Sequence, residues 1–140
     1  MSYILKLNKS VLQNNYNILR SYLTERGFSI TVVSKILQSH PVLIKLLEEL
    51  KIGRIADSYS QNLEKIDFAE RWNLCIGAPQ DAKSVVQKCN LSVHSNFVTL
   101  KEFRETCQQH KLSHEILLMI DMGDWREGFP LDLLMDNVGE

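Results

Sequence analysis

"TVVSKILQSHP", residues 31 to 41, decides how the chain folds. Thr31, Val32, Val33, Ser34 and Ile36 make a short, β-branched run around Lys35, the composition of a buried strand. Pro41 suits the first turn of a helix, and "PVLIKLLEELK" continues as an amphipathic helix up to Gly53. A strand of about five residues leading into a helix is the repeating unit of a parallel sheet.

The unit recurs along the chain. "GRIADS" reads as strand and "SQNLEKIDFAERW" as helix, then "NLCIGAP" and "QDAKSVVQKC", then "LSVHS" and "NFVTLKEFRETCQQHK", with "HEILLMIDMG" as a last strand. Strands near residues 30, 54, 75, 92 and 118 therefore alternate with helices, which predicts an α/β fold of parallel βαβ units with right-handed crossovers. Such units build either an open doubly wound sheet or a (β/α) barrel, and five strands cannot close an eight-stranded TIM-type barrel. Ahead of these units, "YILKLN" alternates like a short strand. Asn8 or Ser10 then caps a helix whose stripe is Val11, Leu12, Asn15, Tyr16, Leu19, Tyr22 and Leu23, and Gly27 ends it.

Composition narrows the function classes. Of 140 residues, 44% are hydrophobic and 24% charged, the profile of one ordinary soluble domain. Sixteen basic against 17 acidic residues leave a net charge of -1, so no basic field is available for nucleic acid or an anionic membrane. No apolar run approaches the roughly 20 residues of a membrane span and "MSYILKLNKS" is too polar for a secretory signal, which predicts a cytoplasmic protein. Cys75, Cys89 and Cys107 are odd in number and too widely spaced for a disulfide framework or a metal knuckle. His110 and His114 stand four apart, but "HKLSH" crosses a helix end, so no metal site is expected. No GxGxxG or GxxxxGK[ST] follows any strand, which removes dinucleotide and P-loop sites.

Lys35 is the residue the pattern does not explain. Alternation puts Thr31, Val33 and Lys35 on one strand face, so the ammonium emerges at the C-terminal rim of the sheet, where α/β folds bind ligands. One reading is a side chain that lays its methylenes on apolar neighbours and keeps its charge in water. The other is a lysine whose burial disfavours the charged form and leaves a nucleophilic amine able to form a Schiff base. Periodicity alone leaves both open.

The run "TVVSKILQSHPVLIKLLEELKIGRIADSYSQNLEKI" resembles the start of the pyridoxal-phosphate barrel of the alanine racemases and their relatives, the fold type III enzymes. It is nearest to the ornithine-racemase-like group, in which a lysine, a short loop, a proline-started helix, "GDSR" and an asparagine follow one another. The matching residues are Lys35, Pro41, Asp57, Ser58 and Asn62. "ILLMIDMGDWREGFP", residues 116 to 130, resembles the strand and loop of the same group with its D-x-G-D-x-R-E-G order, and is the more specific of the two motifs.

The resemblance implies a pyridoxal-phosphate-dependent amino-acid racemase, an isomerase of an ornithine-like or alanine-like substrate. Lys35 would carry the cofactor as a Schiff base and serve as one of two acid/base groups, because one amine must both condense with an aldehyde and take up a proton. Arg126 would donate to the cofactor's phenolic oxygen from a rigid, permanently charged fork, where the plain alternative is a loop charge paired with Asp124 or Glu127. Asp121 would orient the loop. His40, Ser58 and Asn62, with Asp57, are candidates for the substrate side, although Asp and Ser at a strand-to-helix junction equally cap a helix and His40 precedes Pro41 as a cap would. Trp125 could line a substrate entrance or a subunit contact.

Two departures bear on the substrate: Ser39 stands where alanine racemases have a tyrosine, and Met119 where they have a lysine. In complete relatives the phosphate-binding loops follow later strands, and a partner subunit's C-terminal β domain supplies the opposite proton donor. Residues 1–140 are thus expected to be the N-terminal part of the barrel, inactive or nearly so alone, with the second half and the β domain absent. Exposed sheet edges would favour a homo-oligomer. The competing expectations are a non-catalytic carrier of the same cofactor, akin to the homeostasis proteins that share "VSK", and a self-associating structural fragment.

Overall fold

The computed structural model describes residues 6–75 and 81–137. Helix α1 (Lys9–Thr24) opens it, with Asn8 as its cap: the Asn8 carboxamide oxygen accepts from Val11 N at 3.1 Å. After Gly27, at φ +77°, comes β1 (Val32–Val33), a 3-10 turn (Lys35–Leu37) and α2 (Pro41–Glu49). The units β2 (Arg54–Asp57) with α3 (Ser60–Leu63), β3 (Glu70–Cys75) with α4 (Ala82–Lys88), and β4 (Leu91–His94) with α5 (Phe97–His110) follow. Strand β5 (Glu115–Leu118) and α6 (Leu131–Asn137) end the described chain.

The five strands are parallel and lie side by side in chain order, β1-β2-β3-β4-β5. A doubly wound sheet reverses its order at a switch point, whereas a barrel adds each strand beyond the last. The order is thus that of a partial (β/α) TIM-type barrel, as the resemblance implied.

Register sorts the side chains into two faces. Val33, Ala56, Trp72, Leu91 and Glu115 are successive partners across the sheet and share the inner face. Ile55, one residue out of phase, joins Cys75 on the helix side with Leu46, Leu47, Leu50, Leu63, Val85 and Phe103, which form the core. Ile55, Leu63, Ile66 and Val85 are completely buried. The inner face is less covered, with Val33 48% and Leu117 44% exposed.

Three expectations need correction. β1 ends at Val33, so Lys35 is not on a strand and does not share its alternation. The backbone turns after Ser34, and Gln38 and Ser39 take left-handed conformations (φ 46° and 53°) that no β-branched pattern announces. "SQNLEKIDFAERW" is helical only over Ser60–Leu63, and Glu70–Trp72 already belong to β3. Arg54 draws Glu70 into register through a 2.9 Å Nε to Oε2 bond, which sets that strand's start. In "YILKLN", Lys6–Asn8 are not strand and Tyr3–Leu5 lie outside the described residues, as do Ile76–Pro79 of "NLCIGAP".

Candidate functional site

An all-parallel sheet gathers every strand's C-terminal end on one rim, and the two motifs stand at that rim's two ends. The chain after β1 carries Lys35, and the loop after β5 carries Asp121 to Phe129. Four interstrand spacings, about 19 Å along the sheet, separate them. As β1 and β5 are the two edge strands of the sheet, Lys35 and Arg126 stand at opposite ends of this rim.

Lys35 is exposed and forms no ion pair with any described residue. The expectation of an amine withdrawn from water by burial is not met. The chain on either side of it, in contrast, is fixed. Ser34, 1% exposed, donates from its backbone to Ala56 O at 2.8 Å, and its hydroxyl lies 3.1 Å from Asp57 Oδ2. Ser39, also buried, donates its hydroxyl to Asn62 O at 2.8 Å.

Asp57 ends β2 with no exposed surface. Its Oδ1 accepts from Tyr59 N at 3.0 Å and from Asn62 Nδ2 at 3.2 Å, while Asn73 Nδ2 reaches its backbone oxygen at 3.4 Å. Asn62 is therefore turned toward Asp57, beneath the rim. Ser58 is half-buried, and the cap of α3 is Tyr59, without a side-chain bond. His40 likewise makes no side-chain cap: it is exposed, and its carbonyl accepts from Leu43 N and Ile44 N.

The loop after β5 is closed at its base. Phe129 N donates to Met119 O at 2.7 Å and Asp121 N to Phe129 O at 2.9 Å. The Phe129 ring, 1% exposed, meets Phe97 edge-on at 4.8 Å between centroids. A Cβ on Gly128 would come within 2.7 Å of Asp121 Cα and closer still to its nitrogen, so only glycine lets the two chain segments cross. Asp121 accepts from Gly123 N at 2.8 Å, which folds the loop start back on itself. Above this base Arg126 is exposed and 4.0 Å from Glu127, and Trp125 is wholly exposed at φ +62°.

Beneath the rim, on the helix side, lies a polar group that sequence reading missed. His94, fully buried, bonds Ser92 Oγ through Nε2 at 2.7 Å and Thr99 Oγ1 through Nδ1 at 3.1 Å, and His114 Nε2 reaches the same Ser92 oxygen at 3.0 Å. Burial, helped by the neighbouring His114, pushes the His94 pKa down to about 4, and burial lowers His114 as well. Burial also raises the thiols of Cys75 to about 12 and Cys89 to about 11, which leaves both inert as nucleophiles.

No protein-family model matches the chain. The ornithine racemase of Acetoanaerobium sticklandii is 26% identical over 132 residues, which is 92% of this chain and 37% of that protein. Among solved structures, an alanine racemase from Clostridium difficile 630 matches with a TM-score of 0.68 at 20% identity, over 85% of this chain and 33% of that one. PipY of Synechococcus elongatus, solved with and without bound PLP, matches with a TM-score of 0.69 in both forms, at 15% and 13% identity, over 89% of this chain and 61% of PipY. The fold is that of part of a parallel (β/α) barrel, as in these solved structures. The chain spans about a third of the length of the curated relative it matches.

Proposed function

We propose that this chain is the N-terminal part of a pyridoxal-phosphate-dependent amino-acid racemase acting on an ornithine-like or alanine-like substrate. The observation that carries the reading is Lys35: an exposed amine with no ion pair among the described residues, on a backbone fixed on both sides at the rim of a parallel sheet whose far end carries a guanidinium. A free amine suits condensation with an aldehyde, and a permanently charged donor at the same rim suits an anionic cofactor. Pyridoxal phosphate, when bound, supplies an electron sink that acidifies the substrate's α-proton. Lys35 holds the cofactor and moves that proton on one face; Arg126 donates to its anionic ring oxygen.

The test is to add pyridoxal phosphate, reduce with borohydride and map the label by mass spectrometry. The chain has ten lysines. Lys35 is expected to carry most of the label, and a label scattered among the ten would refute the reading. A second reading, a carrier of the same cofactor without racemase activity, is supported by the match to PipY, whose TM-score of 0.69 is no lower than the alanine racemase's 0.68 and which this chain covers more fully. The sequence "DMGDWREG" favours the racemase. The two part on whether α-protons of ornithine or alanine exchange with solvent deuterium once the barrel is completed to a relative's length.

A further inference from the structure

We propose that Ser34, Asp57, Asn62 and Ser39 form a polar clamp that fixes both feet of the Lys35 turn, with Asp57 as its hub. The inference rests on the reading of Lys35 as the cofactor lysine and concerns what aims it. Lys35 to Gln38 bulge out between two buried serines, Ser34 before and Ser39 after. Ser34 is tied to Asp57 Oδ2 and Ser39 to the carbonyl of Asn62, whose own amide is tied to Asp57 Oδ1. The link therefore runs Ser34–Asp57–Asn62–Ser39, a closed bracket around the turn. Tyr59 N on Oδ1 and Asn73 on the Asp57 carbonyl hold the hub itself.

Two further observations show that the bracket is needed. β1 contributes only two residues to the sheet, so ladder bonds alone hold the Lys35 turn weakly. Gln38 and Ser39 both lie in the left-handed region, a conformation non-glycine residues keep only when their surroundings impose it. Asp57 is fully buried and bonded to Ser34 and Asn62, so it is a positioning residue that acts through them.

The test compares Asp57→Ala with Asp57→Asn in the full chain. The asparagine oxygen can keep the bonds from Tyr59 N and Asn62, and its amide can donate to Ser34, whose hydroxyl then turns to Ala56 O at 3.3 Å. Two readouts are taken: the share of borohydride-fixed pyridoxal phosphate on Lys35, and amide hydrogen exchange of residues 34–39. Asp57→Ala is expected to cut the Lys35 share severalfold and to speed exchange of the turn about tenfold, the factor carried by one lost charge-assisted hydrogen bond. Asp57→Asn is expected to restore both.

If Asp57→Asn fails as Asp57→Ala does, the acid acts by its charge and the clamp is wrong. If Asp57→Ala leaves the turn's exchange unchanged, the clamp is wrong whatever happens to the label. Should the wild-type chain not label Lys35 while the exchange results hold, the cofactor reading fails and the clamp stands. Where Asp57→Ala does not fold, Ser34→Ala removes the same link with the loss of one hydroxyl, and is read by the same two measurements.

Discussion

His94 makes the chain's stability depend on acid, and the size of the effect follows from its position. The ring is completely buried between β4 and α5, edge-on to Phe103 at 4.5 Å, and its pKa falls from 6.5 to about 4. Above pH 6.5 the ring is neutral whether the chain is folded or not, and it contributes no pH dependence. Between 6.5 and 4 the unfolded chain takes up a proton that the folded chain refuses, so stability falls as pH falls. At 1.36 kcal/mol per pKa unit the full loss is about 3 kcal/mol, a large share of the 5–15 kcal/mol that holds an ordinary domain together. His114, lowered in the same direction, adds to it. Glu70, held below its usual range by the Trp72 indole N–H and by Arg54, adds stability that is lost only below its unfolded pKa of 4.5. Urea midpoints at pH 7, 6, 5 and 4.5 measure the slope, and His94→Gln keeps the size of the side chain without the titration. The variant should be less stable at pH 7 but lose less on acidification. Equal losses in the two proteins, or a His94 ring carbon that titrates near pH 6.5 by NMR in the folded chain, would refute the reasoning.

Gly128→Ala forces a Cβ into the Asp121 backbone and should destabilise the chain by about 1–3 kcal/mol, read as a lowered urea midpoint with the loss of the Phe97–Phe129 contact in NMR spectra. Lys35→Ala should abolish site-specific cofactor labelling while changing stability by less than about 0.5 kcal/mol, because the side chain is exposed and unpaired. Maleimide at pH 8 should modify Cys107 well before Cys75 and Cys89, whose thiols are buried and raised to about 12 and about 11; comparable rates at all three would show that the core opens easily.

The alternation of strands and helices was legible because it depends on short-range pattern. Short apolar stretches bounded by polar residues mark β2 and β4, and Asn8 marks a helix start that the structure reproduces with a side-chain bond at 3.1 Å. What the sequence hid depends on partners far along the chain. β1 is cut short by Ser34, whose partners Ala56 and Asp57 lie 22 and 23 residues away. The helix expected from Ser60 to Trp72 breaks because Leu63 and Ile66, spaced as on a helix face, fill the core from a single turn and a loop, while Glu70 and Trp72 pair with each other and with Arg54. Asp57 was visible as an acid at a strand end, but a helix cap and the hub of a bracket look alike until Ser34 and Ser39 are seen on its two sides.

The division of order across the rim bears on how Lys35 could be selective. Among the described residues every fully buried side-chain nitrogen or oxygen has a hydrogen-bond partner, so the layer beneath the rim is satisfied throughout. The side chains above it, Lys35, Arg126 and Trp125, stand in water. An amine in water competes on equal chemical terms with the nine other lysines, so any preference of this chain for Lys35 must come from its direction and from the groups around it at the rim. A completed barrel would add water exclusion, which strengthens every charge interaction at the mouth. Selective labelling of the 140-residue chain therefore measures the part of recognition that resides in position alone, and the further gain in a chain of the relative's length measures the part that enclosure supplies.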